Sequence, residues 1–425
     1  MTYAQKSRAE LEMLEKELDA QYTRDLAAGL SLDLSRGKPA ADQLDLSDDL
    51  LTILRSEDAK SEGGLDCRNY GDTFGLPEMR AFFSSLTDIP ADHIIVGGNS
   101  SLNMMYDTLA RAMLFGVADS PRPWCREEKV KFLCPSPGYD RHFGVTETLG
   151  FELITVNMTD EGPDMDEVER LVAADPAIKG IWCIPKYSNP TGITYSDETV
   201  TRLASMKCAA PDFRIMWDNA YFVHTVYGEG DFLLDIFEEA RKAGNENRIF
   251  YFTSTSKITY PGAGVAMMAA SEDNLKLIKP LISAQTIGPD KLNQLRHLRF
   301  LRDADGVYEQ MKRQASCVRP KFDLLLETLD EQLRESGVAT WSEPNGGYFV
   351  SMDLMDGCAK EVYRMAKAAG VTLTNAGATF PYGIDPRDRN LRLAPTYCTL
   401  ADLGAASKIL VNIIKLVSVR KLLAA

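Results

Sequence analysis

Residues 180–218 read GIWCIPKYSNPTGITYSDETVTRLASMKCAAPDFRIMWD. Two apolar runs, GIWCIP (180–185) and FRIMWD (213–218), flank a polar segment long enough for one helix. An unbroken apolar run of this length reads as a strand buried on both faces, and two such strands joined through a helix lie parallel. The pattern continues outward on both sides, with HIIVGG (93–98), KVKFLCP (129–135), FELITVN (151–157), RIFYFTS (248–254) and AGVAMMAA (263–270) making seven runs in all. Helical start and stop signals lie between most of them. Asn99, Ser100 and Ser101 open SLNMMYDTLARAMLFG, which closes at Gly116. The expectation is an α/β fold with a seven-stranded, mostly parallel sheet.

Beyond residue 320 the pattern changes to helix (KFDLLLETLDEQL), aromatic strand (GGYFVSMDL), helix (KEVYRMAKAAG), strand (NLRLAP) and a closing helix (LGAASKILVNIIKLV). That is a smaller α+β unit. At 425 residues the chain exceeds what one core usually organises, so two domains are expected. Residues 48–325 make the large one, and 1–47 plus 326–425 the small one, with LSLDLSRGKP packing against the C-terminal unit.

The formal net charge of −14 repels phosphate backbones and anionic lipid, so neither nucleic acid nor a membrane is an expected partner. Eight cysteines without a CxxC pair, and four histidines at unrelated spacings, give no metal site. The N-terminal MTYAQKSRAELEMLEKELDAQ has no apolar signal-peptide core, and a cytoplasmic location is expected.

Ligands of parallel α/β sheets collect at the carboxyl ends of the strands. Ser188-Asn189-Pro190-Thr191-Gly192 follows GIWCIP. Asp218, with Tyr221 three residues on, ends FRIMWD, and Ser254-Thr255-Ser256-Lys257 ends RIFYFTS. Together with Asn99-Ser100-Ser101 these supply an amine, a carboxylate, a phenol, an amide and a helix N-terminus of a size for phosphate. Taken singly, each has an ordinary reading: Asn189 as a turn residue, Ser100 and Ser101 as helix caps.

In this order, and each at a strand end, the motifs resemble the pyridoxal-phosphate aminotransferases of fold type I, most closely aspartate aminotransferases of the bacterial subgroup Ic. The resemblance runs from SRGKP (35–39) through YGDTFGLPEMR (70–80) to NLRLAP (390–395). It implies pyridoxal 5′-phosphate as cofactor, joined to Lys257 as a Schiff base. It further implies Asp218 on the pyridine nitrogen, Tyr221 and Asn189 on the phenolic oxygen, and Tyr139 stacked on the ring. Asn99, Ser100, Ser101, Ser254 and Ser256 would surround the phosphate, and Tyr70 would reach the neighbour's phosphate across a homodimer. Arg392 would clamp the substrate α-carboxylate as a bidentate fork. The resemblance would place Arg36 and Gly37 in a loop over the substrate, where Arg36, more than Lys38, would suit a distal carboxylate.

The chain departs from the family pattern at Pro261-Gly262-Ala263-Gly264, where most members carry a phosphate-gripping arginine in place of Gly264. Lys291, supplied by the partner subunit, is the expected substitute cation. The implied reaction is a ping-pong transfer between L-aspartate and 2-oxoglutarate. The motifs alone leave open an alanine, kynurenine or aromatic aminotransferase, or a β-eliminating lyase. A non-enzymatic sensor of the same fold lacks the fused basic helix-turn-helix it would need.

Overall fold

The computed structural model describes residues 2–425. All seven apolar runs become strands of one mixed sheet. In spatial order the strands are Ile94–Val96, Ala266–Ala270, Ile249–Ser254, Arg214–Asp218, Ile178–Cys183, Lys131–Ser136 and Glu152–Thr159, followed by an eighth, Gly162–Pro163. The five strands from Ile249–Ser254 to Glu152–Thr159 pair parallel; Ala266–Ala270 runs antiparallel to both its neighbours. The eighth strand is a two-residue antiparallel edge with no apolar run, which is why the sequence pattern did not announce it.

The pleat divides the apolar side chains between two layers. Along Arg214–Asp218, Ile215 and Trp217 join one core, while Met216 joins the other with Phe250 and Phe252. A third core combines both ends of the chain: Leu11, Leu32 and Leu34 pack with Phe322, Val350, Leu393 and Leu410. Leu32–Asp33 pairs parallel with Val371–Thr372, and the helix Arg8–Ala27 lies against Leu400–Ala424, where Asn412 Nδ2 donates to the Leu18 carbonyl at 3.2 Å.

The helix expected to begin near 321 begins at Ala304 and runs to Leu333, straight through Pro320. Its Val307 and Met311 belong to the sheet core, whereas Val318 and Phe322 belong to the terminal core. We propose that the two domains divide at this handover inside a continuous helix, not at a linker. Among the described residues no helix is long and apolar enough to cross a membrane.

Candidate active site

The carboxyl ends of the parallel strands and the C-terminal strand Asn390–Leu393 enclose a cavity of about 480 Å³. Lys257, Asp218, Tyr221, Asn189, Tyr139, Ser100, Ser101, Ser254, Ser256, Arg392, Arg36 and Gly37 all line it. Sheet geometry explains the convergence, because parallel strands release their chains on one edge and the next residues turn over that edge.

Asp218 ends its strand 3% exposed. Its Oδ2 lies 2.9 Å from His142 Nε2. A carboxylate only accepts, so Nε2 carries the hydrogen of that bond. The imidazole is fixed in turn by stacking on Trp182, with ring centroids 4.1 Å apart and planes 10° apart. Asp218 Oδ1 is buried and has no partner in the chain. An orphaned buried acceptor of this kind is costly unless a ligand donor meets it, so the residues present fit a cofactor carrying a cationic N–H.

Lys257 stands in the turn after Ile249–Ser254, its Nζ 4.8 Å from the centre of the Tyr221 ring. Burial lowers its proton affinity, and the Asp218 charge partly offsets this. Burial pushes the Tyr139 phenol up to about 12, and the Tyr221 phenol well above its ordinary value. His224, packed edge-on against Tyr221, is buried with both ring nitrogens unpartnered; burial first, then the Lys257 charge, takes its pKa down to about 3.

Arg392 is 8% exposed. One of its terminal nitrogens donates to Asp140 Oδ1 at 2.8 Å and Asn189 Oδ1 at 3.3 Å, the other to Thr374 Oγ1 at 3.1 Å. Its Nε is buried without a partner. The Phe349 ring supports the guanidinium from 5.0 Å. A Cβ at Gly37 would stand 2.1 Å from Phe349 Cζ, so any larger residue here displaces the loop or the Phe349 ring.

Three expected residues do not line this cavity. Asn99 Nδ2 is committed to the carbonyls of Pro261 and Gly262, at 3.4 and 3.2 Å. Tyr70 is 78% exposed on the surface. Lys291, expected as a phosphate cation supplied by the partner subunit, is only 4% exposed, and its Nζ donates to the Gly71 carbonyl at 2.9 Å in its own chain. Reaching a neighbouring phosphate would require that buried bond to break. At Gly264 a Cβ would come within 3.2 Å of Ser256 N, so the turn bearing Lys257 packs directly on this glycine.

Several contributors escaped the sequence reading. Tyr139 was singled out, yet Asp140, Arg141 and His142 follow it immediately and supply the Arg392 partner, a cavity-lining guanidinium and the Asp218 partner. The available signal was a run of four ionisable residues at a strand exit. Phe349, from the aromatic strand, escaped as well.

The family described as aspartate amino-transferase matches residues 6–425. An aspartate aminotransferase of Corynebacterium glutamicum is 45% identical over 394 residues, covering 93% of this chain and 91% of that protein. A Mycolicibacterium smegmatis protein, provisionally assigned as an aminotransferase, is 52% identical over 387 residues, 91% of this chain and 90% of its own. The crystal structure of an aspartate transaminase from C. glutamicum superposes with a TM-score of 0.97 at 42% identity, covering 99% of each chain.

Proposed function

The chain belongs to the aspartate amino-transferase family, and from that membership we propose that it exchanges an amino group between L-aspartate and 2-oxoglutarate in two alternating half-reactions on pyridoxal 5′-phosphate. One observation carries the reading: a desolvated lysine, Lys257, shares a cleft with a buried carboxylate, Asp218, whose free oxygen awaits a donor.

The cofactor supplies an aromatic ring that accepts the electron pair released when the substrate α-carbon loses its proton. Asp218 Oδ1 would hold the cofactor's ring N–H, while His142 keeps the carboxylate in place through Oδ2. Lys257 Nζ anchors the cofactor between turnovers. Burial lowers the proton affinity of the amine, which suits a group that takes the α-proton and returns it as general base, then acid. Tyr221 and Asn189 would donate hydrogen bonds to the cofactor's phenolic oxygen, and Tyr139 would cover its ring. Ser100, Ser101, Ser254 and Ser256, with the free amides opening Ser101–Phe115, hold the phosphate.

Arg392, preset by Asp140 and Thr374, takes the α-carboxylate. Arg36 and Arg141 line the cleft exposed and without an acid partner among the described residues, which suits a second carboxylate. The reading includes a cytoplasmic homodimer, with Tyr70 completing the neighbour's site, and a subgroup Ic substrate range.

A panel assay tests it. Glutamate formed from aspartate and 2-oxoglutarate is the expected result. Transfer from alanine, kynurenine or aromatic amino acids in preference to aspartate would overturn the substrate assignment. Release of pyruvate from serine or cysteine without an acceptor would overturn the reaction.

A further inference from the structure

The helix Lys291–Leu301 buries four polar side chains, Lys291, Asn293, Gln294 and His297, that no step above uses. Such residues are seldom fully buried without a reason, and each here is committed to a specific loop. His297 Nε2 lies 2.9 Å from Thr259 Oγ1, two residues after Lys257. Asn293 Nδ2 donates to the Gly264 carbonyl at 2.7 Å, on the far side of the same loop. Lys291 holds Gly71, and Gln294 Oε1 accepts from the Leu76 amide at 2.8 Å.

We propose that this helix is an outer bracket for the loop carrying Lys257, with His297 and Asn293 as positioning residues that fix the stance of the Lys257 amine in the cleft. The inference rests on Lys257 being the cofactor's anchor.

Hydrogen-bond polarity explains how the bracket works. His297 Nδ1 lies 2.8 Å from the Asn293 carbonyl, which can only accept, so Nδ1 carries the hydrogen and Nε2 is a bare acceptor. The single proton of the Thr259 hydroxyl therefore goes outward to His297 instead of inward to the Thr255 carbonyl at 3.2 Å. Without His297 that hydroxyl closes on its own turn and the loop loses one of its outside ties, the others being Asn293 on the Gly264 carbonyl and Gln310 and Gln314 on the Ile258 carbonyl. The helix is itself immobilised, since Leu295 and Leu301 sit in the sheet core. Gly264, packed on the Ser256 backbone, carries the Asn293 constraint to the residue before Lys257. The titratable and charged groups around the lysine are Asp218, Tyr221 and His224 beside it and Tyr139, Asp140, Arg36, Arg141 and Arg392 across the same cavity, so a shift of the amine changes its distances to this whole set.

The test uses the pyridoxal-phosphate-loaded protein and three variants, His297→Leu, His297→Gln and Asn293→Ala. Two quantities are read besides thermal melting: the pH midpoint of the visible cofactor absorbance, and the rate of cofactor release. His297→Leu should move the midpoint by about half a pH unit or more and speed release about fivefold, the scale of one hydrogen bond. His297→Gln, which keeps an acceptor of similar reach, should restore both, and Asn293→Ala should act in the direction of His297→Leu. Should His297→Leu fail to fold, the other two variants decide the matter. Unmoved midpoints and release rates in folded Leu and Ala variants would overturn the bracket, as would equal losses in Gln and Leu. No visible band in the unaltered loaded chain would instead remove Lys257 as anchor.

Discussion

Asp218→Asn removes one charge from the floor of the cleft and keeps the side-chain shape. The new amide can still present Oδ1 to His142 Nε2, where Asp218 now accepts at 2.9 Å. A neutral N–H then faces the cleft in place of an acceptor. The lost interaction is a hydrogen bond to a charged group in a buried site, about 1.5–3 kcal/mol. That corresponds to about 10- to 150-fold weaker binding of pyridoxal phosphate. Turnover should fall further, by about a hundredfold or more, because a preorganised charge opposite the reacting ring is gone. The cofactor-free chain should behave differently. It now keeps a buried carboxylate oxygen without a partner, so the neutral variant should melt at the same temperature or higher. Titration of pyridoxal phosphate by visible absorbance, with melting curves in its presence and absence, separates these effects. Affinity within twofold of the unaltered protein, together with retained turnover, would refute the role given to Asp218.

Arg36→Ala and Arg141→Ala should each leave transfer from alanine unchanged, while at least one lowers kcat/KM for aspartate about 10- to 100-fold; an unchanged aspartate-to-alanine ratio in both removes these arginines from substrate recognition. Gly37→Ala forces a Cβ to within 2.1 Å of Phe349 unless the loop moves, so the KM for aspartate should rise about tenfold with little change in melting. His297 carries a stability signature of its own. Burial holds its pKa near about 4, against 6.5 in the unfolded chain. Between these values the unfolded chain binds the extra proton, so stability falls as pH drops from about 6.5, by about 3 kcal/mol at pH 4. His297→Gln should flatten that slope in urea midpoints measured at pH 4.5 and 7; an equal slope in both proteins refutes the assignment.

What the sequence disclosed follows from how far each signal reaches along the chain. Asp218 and Lys257 were legible because a strand buried on both faces announces itself over five or six residues, and the polar side chains that follow stand at its exit. Asp140 was not, because its meaning lies in Arg392, 252 residues away, and no local pattern encodes that pairing. Lys291 shows the same limit. Nothing local to a lysine at a helix start names its partner, yet here a distant loop folds over it and the ammonium donates to the Gly71 carbonyl. Pro320 hid half of a helix because it breaks the local rule, while the apolar stripe from Val307 to Leu333 continues on either side of it.

The net charge of −14 acquires a local meaning at the cleft. Four cations line the cavity, Arg36, Arg141, Lys257 and Arg392, against two carboxylates, Asp140 and Asp218. Acidic groups on the outside are screened beyond about 8 Å at physiological salt, so an arriving anion responds to the cleft and not to the total. Within it, Arg392 already leans on Asp140 and Lys257 on Asp218, which leaves Arg36 and Arg141 as the unmatched charges. Both are exposed. An exposed guanidinium left without a carboxylate stays hydrated, so a monocarboxylic amino acid loses an attraction but meets no desolvated, unpaired charge. Rejection in enzymes is strongest when a mismatch strands a buried polar group, and that penalty is missing at this end of the cleft. The preference for dicarboxylic substrates that these residues can supply is therefore graded, about two orders of magnitude at most. Slow transfer from monocarboxylic amino acids is the expected companion activity.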